Sequence, residues 1–353
     1  MIKVAALTGG RYIPSSRFRF RQHFQPLTEY GVNVSEYSPV ISKSVTALKL
    51  LNGKRLREAP YILPLFFAVE IGKFASLLPG VLKSWRHDIV WLERGLYDGL
   101  PTIECGLKKP LVLDVDDAVW QSPPYGESQM KYTALRADTI VVGNTYLADW
   151  FSQFSKNIEI IPTAVDTNQF FPVQQDENRS FTVGWTGTSG NFNYLCSISN
   201  ALKNFFEYAK NARLLVVADK FPDGFDLPYE RLDFVKWSEN NEAAMVQKMD
   251  VGLMPLADDS WSRGKCSFKM LQYMACGIPV VVSPVGMNAE VLAKGNIGFK
   301  ATSEKDWLDV LIYLYEDENR RAIMGKEGRR IVERDYCRTV VTELLAKTLL
   351  ALA

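Results

Sequence analysis

Short apolar runs punctuate the chain at Lys3–Thr8, Val32–Tyr37, Asp88–Glu93, Pro110–Val115, Ala137–Gly143 and Ile158–Ile161. A second series follows at Phe181–Trp185, Leu214–Ala218, Asp233–Trp237, Val251–Met254 and Val280–Ser283. Most alternate little, the pattern of strands buried on both faces of a parallel sheet. Stretches of helical spacing lie between them. Arg17–Tyr30 puts Phe18, Phe24 and Leu27 on one side, and Phe192–Ala209, Asn241–Met249 and Asn288–Lys294 read as further helices. Ser303 and Asp306 form a capping-box pattern ahead of Trp307, Leu308, Leu311 and Leu314, and Glu318–Arg334 and Thr339–Leu350 close the chain as two helices.

Strand, glycine loop and helix occur together twice, first around Gly9-Gly10 and again around Gly187-Thr188-Ser189-Gly190. The repeat lies in pattern and not in sequence. It predicts an α/β protein of two tandem Rossmann-like domains, residues 1–165 and 173–335, with Pro162–Pro172 as linker. The last helix, within 336–353, is expected to cross back to the first domain. Ser44–Trp85 reads as two helices, the second unusually apolar (YILPLFFAVEIGKFASLLPGVL). A core helix is the expected reading. The alternative is a surface helix that docks on a membrane with Lys49, Lys54, Arg55 and Arg57 nearby. Glu70, Lys73 and two prolines interrupt the run, which argues against a spanning segment.

Composition narrows the class. The 353 residues carry a formal net charge of +1, so no global case exists for nucleic-acid binding. Residues 1–110 hold 16 Lys/Arg against 8 Asp/Glu, a local surplus that suits an anionic partner such as a phospholipid surface, or a merely solvated face. Five scattered cysteines without CxxC spacing fit reduced thiols and argue against a disulfide framework or a zinc site. With no signal-peptide pattern at MIKVAALTGG, a cytoplasmic protein is expected.

Three places carry candidate chemistry. In Gly264–Gly286 (GKCSFKMLQYMACGIPVVVSPVG), Lys265 and Lys269 bracket a helix start, Ser267 stands at its cap, and Gly277 ends it. Lysines at a helix N-terminus beside a strand end suit an anionic ligand. Asp116 and Asp117 follow the strand carrying Asp114, where paired carboxylates could orient hydroxyls, bind a metal or act as acid and base; one of them could instead cap the next helix. Arg11, Arg17, Arg19 and Arg21 follow the Gly9-Gly10 turn, with Arg17 and Arg21 one helical turn apart; for Arg19 and Arg21 a solvated basic face is the expected reading.

The motifs DVDDAVW (114–120), GNTYLADWF (143–151), IIPTAVDTNQF (160–170), GWTGTSGNFNYL (184–195), DVGLMPL (250–256), the 263–286 stretch and NAEVL (288–292) together resemble the retaining, GT-B-fold glycosyltransferases of family four. The resemblance covers nearly the whole chain. It implies two domains facing across a cleft and transfer of a hexose-type sugar from a nucleoside-diphosphate sugar. The acceptor would be a glycan or lipid-linked molecule in polysaccharide biosynthesis. It implies no cofactor and no metal. Donor contacts fall on Gly10, Arg11, Gly187, Thr188, Ser189, Ser267, Gln272, Gly286, Met287 and Asn288, with Lys236 and Trp237 at the base; Trp237 as core packing remains open. Lys265 and Lys269 would neutralise the diphosphate, with Arg263 in reserve; Asp116 and Asp117 would orient hydroxyls, and Arg17 and Arg21 lie on the acceptor side.

The chain departs from the family where two glutamates separated by seven residues are usual, carrying Gly264 and Gln272 instead. Trp185, Ser189 and Asn191 occupy the region where an arginine and a lysine are usual. Two alternatives stand beside the main reading: another GT-B reaction (an inverting transferase or a sugar-nucleotide epimerase), and a catalytically weak nucleotide-sugar-binding subunit.

Overall fold

The structure, a computed structural model, describes residues 1–10, 13–41, 60–97, 102–176, 179–224, 226 and 229–353. The first of the two helices expected from Ser44 onward, with its four basic residues, and the Arg11 contact lie outside the described residues.

The chain divides into two units, Met1–Thr163 with Val341–Ala353, and Ala164–Val340. The first is built on strands β1 (Ile2–Leu7), β2 (Val32–Tyr37), β3 (Ile89–Glu93), β4 (Leu111–Val115), β5 (Thr139–Val142) and β6 (Ile158–Ile160), all parallel, in the order β2-β1-β3-β4-β5-β6. The second uses β7 (Phe181–Thr186), β8 (Ala212–Ala218), β9 (Leu232–Lys236), β10 (Val251–Met254), β11 (Val280–Val282) and β12 (Gly298–Lys300) in the order β12-β11-β10-β7-β8-β9. Each sheet reverses strand order beside its own first strand, and ligands of such sheets collect at the carboxyl ends near that switch.

Helices α1 (Gln22–Leu27), α2 (Leu63–Ser84), α3 (Gly126–Ala134) and α4 (Thr145–Phe151) belong to the first unit. The second holds α5 (Phe192–Cys196), α6 (Ser199–Tyr208), α7 (Glu242–Val246), α8 (Ser260–Arg263), α9 (Phe268–Ala275), α10 (Met287–Leu292), α11 (Glu304–Glu316) and α12 (Glu318–Asp335). The final helix, α13 (Arg338–Leu350), begins in the second unit and counts with the first from Val341 onward. There Thr342 Oγ1 lies 2.7 Å from Nδ1 of His23, a buried ring of α1.

The all-apolar strands are buried on both faces, as β3, β4, β5 and β11 show along their full length. The second sheet separates two clusters, one of Val183, Phe205, Val216 and Trp307, the other of Val217, Met270, Tyr273 and Val282. The capping box at Ser303 and Asp306 forms with both hydrogen bonds present. Gly277 ends α9 in the left-handed region, φ 72°, where glycine carries no Cβ penalty. The stretch expected as one helix from Phe192 is broken between Cys196 and Ser199. Arg17–Tyr30 likewise divides, into a π-helical turn over Ser16–Arg21, α1, and a short 3-10 turn.

The apolar helix expected to lie in the core is α2, and it packs by one face only. Leu77 and Val81 join the core cluster of Leu7, Val90 and Leu92, while Phe67, Ile71 and Leu82 on the opposite side are 58–69% exposed.

Candidate active site

In the second unit the signature stretch folds so that α9 starts beside the carboxyl ends of β7, β10 and β11. Ser267, which precedes it, adopts φ 49°, and its hydroxyl does not cap the helix. Oγ donates instead to Asn288 Oδ1 at 2.7 Å, and Asn288 Nδ2 donates to the Ser283 carbonyl at 3.0 Å. This buried chain fastens the α9 start to the loop leading into α10. Gly286 (φ 52°) completes that loop; a Cβ there would lie 2.5 Å from the Arg263 carbonyl, so backbone passes where a side chain does not fit. Met287 is part of the core, and Asn288 is fully buried.

The two lysines are held differently. Lys265 Nζ stands 5.7 Å from the Trp261 ring centre and 5.8 Å from that of Tyr194, within cation–π range of both. Lys269 Nζ donates to Glu242 Oε1 at 3.1 Å and to Gln272 Oε1 at 3.2 Å, and Gln272 Nε2 donates to the same Glu242 oxygen at 3.0 Å. Gln272 is 0% exposed and Glu242 1%. A carboxylate absent from position 272 of α9 is thus supplied from α7. Lys269 therefore reaches the strand ends with its charge partly balanced, while the amide of Gln272 is used within the cluster. Glu242 carries no motif in the sequence, and only the fold brings it 30 positions along the chain to its partner.

The small-residue loop after β7 is fixed rather than open. Ser189 donates from its amide to Asp219 Oδ1 at 2.5 Å and from its hydroxyl to Oδ2 at 2.9 Å. Burial pushes the Asp219 carboxyl up, but these two bonds outweigh it and hold it below its ordinary range. The Trp185 ring fills the space a side chain at Gly187 would need, and the Thr188 carbonyl accepts from the Asn191 amide. Tyr273 Oη accepts from the Thr186 amide at 2.8 Å, and burial pushes its phenol up to about 12, so it stays protonated. After β9, Lys236 and Trp237 are exposed, Trp237 by 37%, so Trp237 is not core packing. Arg263 faces out in a bidentate pair with Asp258 at 2.7 and 3.1 Å.

The first unit collects acids and arginines at its strand ends. Glu93, the last residue of β3, accepts from the Gly9 amide at 2.7 Å and from the hydroxyls of Ser15 and Ser16. This carboxylate clamps the turn after β1, where Gly10 (φ 133°) supplies the bend. Arg19, expected on a solvated face, is 3% exposed: Nε donates to Asp114 Oδ1 at 2.8 Å and Nη1 to the Ile161 carbonyl at 2.7 Å. The π-helical turn changes the residue spacing and turns this guanidinium inward. Arg21 is also committed, in a bidentate pair with Glu36 at 2.7–2.9 Å, while Arg17 stacks on Phe18 at 4.5 Å.

Asp116 and Asp117 share one partner that the sequence pattern did not reveal. Arg94 Nε donates to Asp116 Oδ1 and Nη2 to Asp117 Oδ2, both at 2.7 Å. Arg94 itself has φ 59°, a conformation costly for a non-glycine residue and here enforced by these two pairs and its amide bond to the Asp114 carbonyl. Burial pushes the Asp116 carboxyl up, but the Arg94 charge outweighs it and holds Asp116 below its ordinary range. Burial also pushes Asp114 up to about 6, against the opposing charge of Arg19. Among the described residues, no three His, Cys, Asp or Glu side chains converge as a metal-ligand group.

Comparison with known proteins bears on both units. Residues 181–317 match the family model "Glycosyl transferases group 1". No curated protein matches the sequence. Among solved structures, sucrose-phosphate synthase from Thermosynechococcus elongatus superposes with a TM-score of 0.73 at 14% identity, covering 100% of both chains. Anabaena HepE in complex with UDP-glucose gives 0.70 at 14% identity, again over 100% of both chains. WaaG, a glycosyltransferase involved in lipopolysaccharide biosynthesis, gives 0.64 at 15% identity over 98% of this chain and 99% of its own. At such identities the likeness speaks to fold. The two six-stranded parallel sheets are those of the GT-B fold, and residues 181–317 of the second are similar to the group 1 glycosyltransferase model.

Proposed function

We propose that this protein is a hexosyltransferase that takes its sugar from a nucleoside-diphosphate donor held by the second unit, and passes it with retention to a glycan or lipid-linked acceptor. The observation that carries this reading is the match of residues 181–317 to the glycosyltransferase group 1 model, over the same span that sets two lysines at the start of α9. Lys265 and Lys269 would neutralise charge developing on the departing diphosphate, aided by the backbone near Gly286. Fixed charges at a fixed position can do this without a divalent ion. Lys236 and Trp237 would meet the base; Gln272, buried and bonded to Glu242 and Lys269, would act on the donor only through Lys269.

We take retention over inversion because Arg94 already occupies an oxygen of Asp116, the strand-end acid, at 2.7 Å. An inverting transferase needs a base poised near the working pH. Asp116 is held below its ordinary range, which suits an ionised hydrogen-bond acceptor that orients a hydroxyl. Neither histidine ends a strand: His23 meets Thr342, and His87 lies against Tyr37. The anomeric configuration of the product, read by NMR, tests this assignment, and an inverted product sinks it. Gly264 and Gln272 favour a second reading, a subunit that binds nucleotide sugar without turnover. Tight nucleotide binding with no transfer or hydrolysis across a panel of UDP-, GDP- and ADP-sugars would support it. A cytoplasmic enzyme working at a membrane face is part of the main reading.

A further inference from the structure

Helix α2 is amphipathic the wrong way round for a soluble helix. Its polar pair points toward the protein: Lys73 is 8% exposed and donates to Glu70 at 3.0 Å. Its outward stripe is Pro64, Phe67, Ile71, Phe74, Leu78 and Leu82, spaced three or four apart and without a charge. By length and composition the 22-residue helix could cross a membrane. Its inner stripe argues otherwise, since Leu77 and Val81 are built into the core of the first unit and a Cβ on Gly80 would lie 3.1 Å from Leu7. Those contacts hold the helix against its sheet, with a stripe about 27 Å long facing out at 1.5 Å per residue.

The two ends of the stripe have interfacial chemistry. Tyr61 is 75% exposed before it, and Trp85 is 61% exposed after it, with its indole N–H donating to the Gly106 carbonyl at 2.8 Å. Aromatic residues with one polar edge settle at the boundary between lipid tails and headgroups. Lys83 and Arg86 lie exposed on either side of Trp85 in the chain, and Lys108 reaches the His87 carbonyl alongside, while Lys109 is paired with Asp138 at 3.2 Å. Cations at the edge of an apolar face complement anionic headgroups. A second copy of the chain would require no such cations at the rim.

The geometry points to α2 as a monotopic membrane-docking face that lies in the headgroup plane of an anionic phospholipid bilayer with its apolar stripe inserted. This does not rest on the glycosyl-transfer reading and is tested without assaying it.

Flotation with vesicles of equal phosphatidylglycerol and phosphatidylcholine tests the inference. The full chain should float with these vesicles, and raising salt should weaken the association. Phe67→Glu/Ile71→Glu should lower the bound fraction at least tenfold, while Lys83→Ala/Arg86→Ala should lower it severalfold on anionic vesicles. Melting temperatures of both variants should stay unchanged, because the altered side chains face outward. Absence of flotation by the unaltered chain overturns the inference. So does a dimer by sedimentation that Phe67→Glu/Ile71→Glu converts to monomer without any vesicle binding, which would assign the stripe to a second copy. A large fall in melting temperature for that variant would mean the stripe is covered by this chain itself, and would also overturn it.

Discussion

At the carboxyl end of the first sheet, Glu36, Glu93, Asp114, Asp116 and Asp117 gather around Arg19, Arg21 and Arg94. At the corresponding end of the second, Lys265 and Lys269 stand at the start of α9, with Glu242 beneath one of them. Both sheets are six-stranded and parallel and reverse beside their first strand, though one outer strand precedes the switch in the first (β2-β1-β3) and two in the second (β9-β8-β7-β10); the sharper difference lies in what their loops deliver. The first unit spends its charges on one another and fixes its loops by ion pairs. In the second, Lys265 lies within cation–π range of Trp261 and Tyr194 while Lys269 pairs with Glu242, two cations beside a helix start, a site suited to an anion. The same architecture thus yields a braced surface in one half and a cationic one in the other.

The largest effect should come from breaking the buried pair of the first unit. Arg19→Met leaves Asp114 charged in the core and should cost about 3–5 kcal/mol by urea unfolding; Arg19→Met/Asp114→Asn should recover most of it. The cost should also depend on pH. Asp114 titrates near 6 in the folded protein against an ordinary 3.8, so the folded state binds more protons between those values. Its contribution to stability therefore falls as pH rises through that window. Without Arg19 the carboxyl moves up further, so the loss in Arg19→Met should be smaller at pH 5 than at pH 8. An equal loss at both would refute the assignment.

The lysines of the second unit should separate. Lys265→Ala should weaken nucleotide-sugar binding by about 1–3 kcal/mol by calorimetry, with little change in melting temperature. Lys269→Ala leaves Glu242 buried without its cation, so it should lower stability by about 1–3 kcal/mol and weaken donor binding less than Lys265→Ala does. If the two variants behave identically, the contrast between a lysine held against aromatic rings and one held by a buried carboxylate fails. Asp116→Asn should lower kcat more than donor affinity, in steady-state kinetics with direct binding alongside. The smallest effect belongs to Arg21→Ala, whose half-exposed pair with Glu36 is worth about 1 kcal/mol or less in a denaturation curve.

Runs such as Ile140–Val142 and Val280–Val282 announced buried parallel strands, because burial on both faces leaves no polar positions to confuse the period. Gly277 and the Ser303–Asp306 box were equally readable, since helix ends are set by local backbone chemistry. Partners brought from other elements were not. Arg94 reaches Asp116 and Asp117 from the end of a neighbouring strand, and Glu242 reaches Gln272 from a separate helix with no recognisable spacing. Arg19 was misread because a π-helical turn shifts its direction. For α2 the core reading was preferred over the surface one, and the exposed stripe favours the latter, since composition alone does not say which face of an apolar helix finds the core.

The central claim is that the second unit holds a nucleoside-diphosphate sugar at the start of α9, and a donor screen by thermal shift tests it most directly. One class among UDP-, GDP- and ADP-sugars should raise the melting temperature in a concentration-dependent way, and Lys265→Ala should remove most of that rise. No shift with any nucleotide sugar, or an undiminished shift in Lys265→Ala, would contradict it.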